Sequence, residues 1–163
     1  MIFQVGDKVI HLVHGIGDIV DIENRTVQED KVSCFVVQTQ DLTIWVPINE
    51  ADQHSIRSPA PETEFEAMFS ILEGPNQPLP EDRIERKQLL MGLLDDGNLS
   101  SIGRVVRDLF SLSQERKLSE EDKTILERAE NTLLVEWGYS LAVPRSQALA
   151  KMRQLLQSET APS

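Results

Sequence analysis

Ser58-Pro59-Ala60-Pro61-Glu62-Thr63-Glu64-Phe65-Glu66-Ala67-Met68-Phe69-Ser70-Ile71-Leu72 is the stretch in which the hydrophobic period changes, and its reading decides the fold. Beyond Pro61, residues Phe65, Met68, Phe69, Ile71 and Leu72 recur at spacings that line one helix face, and Gly74-Pro75 closes the helix. Before Ser58 the spacing is two. In Asp41-Leu42-Thr43-Ile44-Trp45-Val46-Pro47, the side chains of Leu42, Ile44 and Val46 fall on one face of a strand, and Thr43 and Trp45 on the other. A strand period on one side and a helix period on the other predict an α+β chain in two parts, residues 1–60 and 61–163.

Further toward the start, Val5-Gly6-Asp7-Lys8-Val9-Ile10 opens a short strand after a Gly-Asp turn. Gly15 and Gly17 punctuate the next segment, and Ile19-Val20-Asp21-Ile22 resumes it. Gln28-Glu29-Asp30-Lys31 is a polar turn before Ser33-Cys34-Phe35-Val36-Val37, rich in β-branched and aromatic residues. Short strands joined by tight turns over about 60 residues describe a small, open or partly closed barrel. Toward the end, a helix is expected from Arg83 to Leu94, then a turn at Asp95-Asp96-Gly97-Asn98. Ser100 or Ser101 can cap the following helix, whose stripe is Ile102, Val105, Val106, Leu109 and Phe110. Ser119 to Asp122 reads as a capping box, and the helix it starts carries Ile125, Leu126, Ala129, Leu133, Leu134 and Trp137. A last helix is expected from Ser146 to Gln157, with a frayed tail from Ser158. The second part is thus an all-helical bundle.

Composition narrows the function. The chain is 40% hydrophobic and 26% charged over 163 residues, enough to bury a core. No stretch approaches the roughly 20 apolar residues that span a bilayer, and the first residues do not resemble a secretory signal. The single Cys34 fits a reducing compartment, so a cytoplasmic location is expected. Net charge is −11, which taken alone argues against binding DNA by neutralising phosphates. Residues 1–62 hold four basic side chains (Lys8, Arg25, Lys31, Arg57) against ten acidic ones, whereas residues 63–157 hold twelve against sixteen. The acidic excess is concentrated in the first part.

No catalytic constellation emerges. His11, His14 and His54 have no Cys or second His at metal-ligand spacing, so no metal is expected. His14-Gly15-Ile16-Gly17 matches neither a P-loop nor a dinucleotide fingerprint, so no cofactor is expected. Acidic pairs such as Asp95-Asp96 and Glu120-Glu121 suit turns and helix starts, and no serine sits in a nucleophile elbow. An enzyme is not expected.

Three segments resemble the CarD/CdnL family of transcription regulators, whose N-terminal module is shared with the polymerase-interacting domain of the transcription-repair coupling factor. Phe3-Gln4-Val5-Gly6-Asp7-Lys8-Val9-Ile10 followed by His14-Gly15-Ile16-Gly17 is similar to the family's opening, with His11 and Leu12 replacing its usual Tyr and Pro. Asp41 to Asn49 resembles the strand leading into Val-Pro. Val105-Val106-Arg107-Asp108-Leu109, then Gln114 to Ser119 and Lys123 to Leu126, is the most specific match. The resemblance runs in order over almost the whole chain. It implies a Tudor-like small β-barrel module that binds the RNA polymerase β subunit, and a helical domain that meets promoter DNA and stabilises the open complex. The matching polymerase-binding positions are Arg25, Trp45 and Pro47. The family's tryptophan wedge, in a Trp-x-Arg-Arg-Tyr context, falls here on Arg83, with Glu85, Arg86 and Lys87 across the residues that follow. The wedge is therefore missing, and DNA contact is expected only within the polymerase complex, through Arg83, Arg86, Lys87, Arg107 and Lys123. Arg83, Arg86 and Lys87 are expected to share one helix face. A protein-interaction adaptor without DNA contact is the alternative.

Overall fold

A computed structural model describes residues 3–50 and 56–160, without the side chains of 27, 50 and 158–160. His54 lies outside the described residues. The chain divides into two units, Met1–Pro59 and Ala60–Ser163.

The first unit is an antiparallel sheet of β1 (Lys8–His11), β2 (Gly15–Val27), β3 (Asp30–Gln38), β4 (Thr43–Pro47) and β5 (Ile56–Arg57), with one helical turn, α1 (Ile48–Glu50), after β4. Strand order is β4-β3-β2-β1-β5. The edge strands β4 and β5 are not hydrogen-bonded to each other, so the expected barrel is an open sheet. Closure would need a longer partner than the two residues of β5. Strand β1 begins at Lys8 rather than Val5, because Gly6 turns the backbone at φ 99° and Asp7 accepts the Gln4 N–H at 2.8 Å.

One face of the sheet buries Phe3, Val9, Ile19, Phe35, Val37, Val46 and Ile56. Phe3 and Phe35 meet edge to face at 6.2 Å. Gly17 lies where a Cβ would come within 2.9 Å of the Gln38 carbonyl and of Val37, so this crossing of β2 over β3 requires glycine. The register of β2 on β3 shifts between Ile19 and Asp21, leaving Val20 as the extra residue of a bulge. The shift has a direct consequence. Period two from Ile19 would turn residues 21, 23 and 25 toward the core. After the bulge Asp21 pairs with Val36, so Asp21, Glu23 and Arg25 take the opposite face, on which the Trp45 position also lies through its own pairing with Val36.

The second unit has α2 (Glu62–Glu73), α3 (Arg83–Asp96), α4 (Leu99–Glu115), α5 (Glu120–Ser140) and α6 (Arg145–Thr160). Helix α4 is central: Val105, Val106 and Leu109 are fully buried within a cluster that includes Phe65, Met68 and Leu72 of α2, Leu90 of α3, Leu133 and Trp137 of α5 and Met152 of α6. Gly103 permits the approach of α4 to α2, since a Cβ there would sit 3.0 Å from Met68. The cap of α4 is Asn98, whose side chain accepts the Ser101 N–H at 2.8 Å, not Ser100 or Ser101. Ser119 caps α5 as expected by accepting the Asp122 N–H. The reciprocal half of the box does not form, because the Asp122 carboxylate is held by Arg86 instead. The Glu136 carboxylate, buried on α5, accepts the Ala60 N–H at 2.7 Å and so fixes the start of this unit.

Candidate functional site

The outer face of the sheet centres on Trp45. Its side chain is 38% exposed, intermediate between a core residue and a free anchor. Two neighbours on β2 hold it there. The indole N–H donates to the Glu23 carboxylate at 2.8 Å, and the Arg25 guanidinium lies 4.3 Å from the ring centroid. That distance is within cation–π range, worth about 0.5–1 kcal/mol at an exposed site. Beneath them the β3 residues Cys34 and Val36 are buried although they point away from the main core. Pro47, partly buried, pairs with Cys34 two positions along. Arg25, Trp45 and Pro47, named from the sequence, thus meet on one face, and Arg25 serves first as a prop for the indole. Glu23 was not among the expected residues. Its signal is the bulge at Val20, which the sequence does not announce.

The start of α3 is the second candidate. Asp82 caps it, accepting the Glu85 N–H at 2.9 Å. Arg83 and Lys87, one turn apart, are exposed beside a shallow depression that Ile84, Gln88 and Glu121 also line. Lys87 lies 3.4 Å from Glu121, an exposed pair worth little. Arg86 does not share this face. It is buried at 3% exposure, with its Nε 3.2 Å from both Asp122 oxygens and one Nη 3.1 Å from Asp122 Oδ2. Its other Nη donates to the Pro80 and Glu81 carbonyls, at 3.1 Å each. The grouping of Arg83, Arg86 and Lys87 on one face is therefore corrected: a helix turns about 100° per residue, and the pull of Asp122 takes Arg86 inward. Ile84, missed in the sequence, is 68% exposed between Arg83 and Glu85.

Arg107 also lies inside the helical unit. Its side chain is 11% exposed, its Nε donates to the adjacent Asp108 carboxylate at 2.8 Å, and one Nη is buried with no hydrogen-bond partner. Asp108 in turn accepts the Gln77 N–H at 3.0 Å, tying the Pro-rich connector to α4. Lys123 is partly exposed in the first turn of α5, 3.4 Å from Glu120. The expected DNA-contacting set thus separates into surface cations (Arg83, Lys87, Lys123) and interior ones (Arg86, Arg107).

His11 and His14 stack with centroids 5.0 Å apart. His11 Nδ1 accepts the backbone N–H groups of Val13 and His14, closing the β1–β2 turn. Burial first, then the neighbouring His14 charge, holds the His11 imidazole below its ordinary value. No cluster of three or more metal-ligating side chains occurs among the described residues, and no helix among them is long and apolar enough to cross a membrane.

An open antiparallel sheet with an aromatic-centred outer face, followed by a five-helix unit that carries Arg83 and Lys123 in the first turns of α3 and α5, defines a two-unit α+β protein. The chain belongs to the CarD family: residues 3–59 match the CarD-like/TRCF RID domain and residues 67–161 match the CarD C-terminal domain. It is also 27% identical over 140 residues to the Bacillus subtilis (strain 168) protein named "Putative transcription factor YdeB", covering 82% of this chain and 89% of that protein. By family, the chain is a transcription regulator.

Proposed function

We propose that the protein docks on the RNA polymerase β subunit through the outer face of its Tudor-like sheet, and that it modulates the stability of the promoter open complex in the cytoplasm. The observation that carries this reading is the half-exposed Trp45, fixed in position by Glu23 and Arg25 before any partner arrives. A preorganised indole loses little rotamer freedom on binding, which is the property of an interface anchor. Arg25 and Pro47 border it.

DNA contact, in this reading, is made only inside the polymerase complex and is weak. Arg83 and Lys87 are its leading residues, with Lys123 as a third. Arg86 and Arg107 support it from within by fixing α3, α5 and the connector. Arginine suits a narrow minor groove, and the exposed Ile84 beside Arg83 gives this corner an apolar element. Glu81, Glu85 and Glu121 surround the two cations and oppose phosphate.

The experiment compares open-complex lifetime for wild type and the Arg83→Ala/Lys87→Ala variant at two salt concentrations. The expected result is a shorter lifetime for the variant and a shallower salt dependence, by about one unit of slope per lost phosphate contact. Equal lifetimes and equal slopes would remove DNA from the account and leave the adaptor reading.

A further inference from the structure

The bulge in β2 leaves one apolar side chain outside the core. In a bulge two residues of one strand stand opposite a single residue of its neighbour, and here Val20 and Asp21 both stand opposite Val36. Ile19, just before them, is in the core, whereas Val20 belongs to neither buried cluster and is 49% exposed. Trp45 pairs with Val36 from the other side. Val20, Val36 and Trp45 therefore form one row across three strands, with β2 and β4 about 10 Å apart. Val36 is sheltered within that row, so the apolar surface a partner meets is that of Val20 and Trp45.

The charge beside this row is acidic. Asp21 and Glu23 stand on the same face of β2, and both are exposed. The indole N–H that Glu23 holds is neutral and offsets no charge. Arg25, the only basic residue of β2, lies over the Trp45 ring. Asp21 accepts the N–H of its neighbour Ile22 at 2.8 Å and has no cation paired with it among the described residues. A partner that covers Val20 and Trp45 also comes against Asp21. Covering a carboxylate without a cation is costly, so an acidic or wholly apolar partner surface fits this row poorly.

We propose that Val20 and Asp21 form a second contact point of the docking face: Val20 packs on an aliphatic side chain of the polymerase β subunit, and Asp21 meets a Lys or Arg beside it. The proposal rests on the docking reading above and names the chemistry of the surface that is bound. The bulge supplies both groups, because an unbroken period from Ile19 would turn Asp21 toward the core.

The test measures association and dissociation rates of the full chain with the host's purified RNA polymerase at two salt concentrations, for wild type, Trp45→Ala, Val20→Ala and Asp21→Asn. Asparagine keeps an oxygen for the Ile22 N–H, so charge alone is removed. Circular dichroism confirms that each variant is folded. Val20→Ala is expected to speed dissociation about five- to tenfold, the loss of a small apolar contact, and to leave association within about twofold. Asp21→Asn is expected to slow association about threefold at low salt and to make it less salt-dependent, as removal of a rim charge does. Wild-type rates in either variant, with Trp45→Ala still weakened, would overturn the proposal and leave the docking reading in place. Faster association of Asp21→Asn would overturn it as well, since the surface opposite would then be acidic. No binding by the folded wild type would remove the docking reading, and this proposal with it.

Discussion

Replacing Arg86 with alanine strips the buried Asp122 carboxylate of its guanidinium and leaves the Pro80 and Glu81 carbonyls without donors. Breaking a buried pair from one side costs about 3–5 kcal/mol, so Arg86→Ala is expected to lower the unfolding free energy of the helical unit by that amount, seen as a lower urea midpoint. Arg83→Ala, at an exposed position, is expected to change that free energy by less than about 0.5 kcal/mol. Chemical denaturation separates the two, and similar midpoints would contradict the interior placement of Arg86. From the sequence these two arginines are indistinguishable, because a spacing of three puts them nominally on one face. What divides them is Asp122, 36 residues further on, and no local pattern reports a partner at that distance. His11 gives a second expectation at this scale. Its folded pKa lies below the ordinary 6.5, so its contribution to stability is complete above about pH 6.5 and is lost as pH falls through the lower folded value. The urea midpoint of the β unit should therefore drop on acidification, and His11→Asn should flatten that part of the profile. An unchanged profile in His11→Asn would remove the ring from the effect.

At the scale of elements, the helices were legible because each carries its own stripe of apolar residues, and α4 shows the clearest one. Their ends were read less well. Asn98 took the cap expected of Ser100 or Ser101, since the residue in extended conformation before the first turn is the one whose side chain reaches the free N–H groups. The sheet was legible as a set of strands, but the bulge at Val20 was not, and with it went the identity of Glu23 as partner to Trp45. A bulge is fixed by the competition between two strands for register, which one strand's sequence does not record. The end of α5 offers a test of local backbone reasoning. Ala142 occupies the left-handed position at φ 54°, where glycine is the usual residue and a Cβ costs about 1 kcal/mol. Ala142→Gly is expected to raise the thermal midpoint of the helical unit by a few degrees, about 0.5–1 kcal/mol. A lowered midpoint would show that the alanine methyl contributes packing that outweighs the strain.

For the molecule as a whole, charge and architecture point in different directions, and the proposed docking on polymerase would reconcile them. A net charge of −11 leaves few counterions to release on DNA, so the free protein is expected to bind duplex no more tightly than the non-specific range of roughly 10⁻⁴–10⁻⁶ M at physiological salt. In the proposed mode, docking by one unit would raise the DNA concentration seen by the other, and a contact too weak alone would then act. The account therefore stands on the docking step. The most direct measurement is a titration of the host's purified RNA polymerase β subunit with the wild-type protein and with Trp45→Ala, each checked for folding by circular dichroism. The account predicts saturable binding by the wild type and a loss of about 2 kcal/mol, roughly thirtyfold in Kd, for Trp45→Ala. No binding by the folded wild type, or equal affinity for the folded variant, would contradict it.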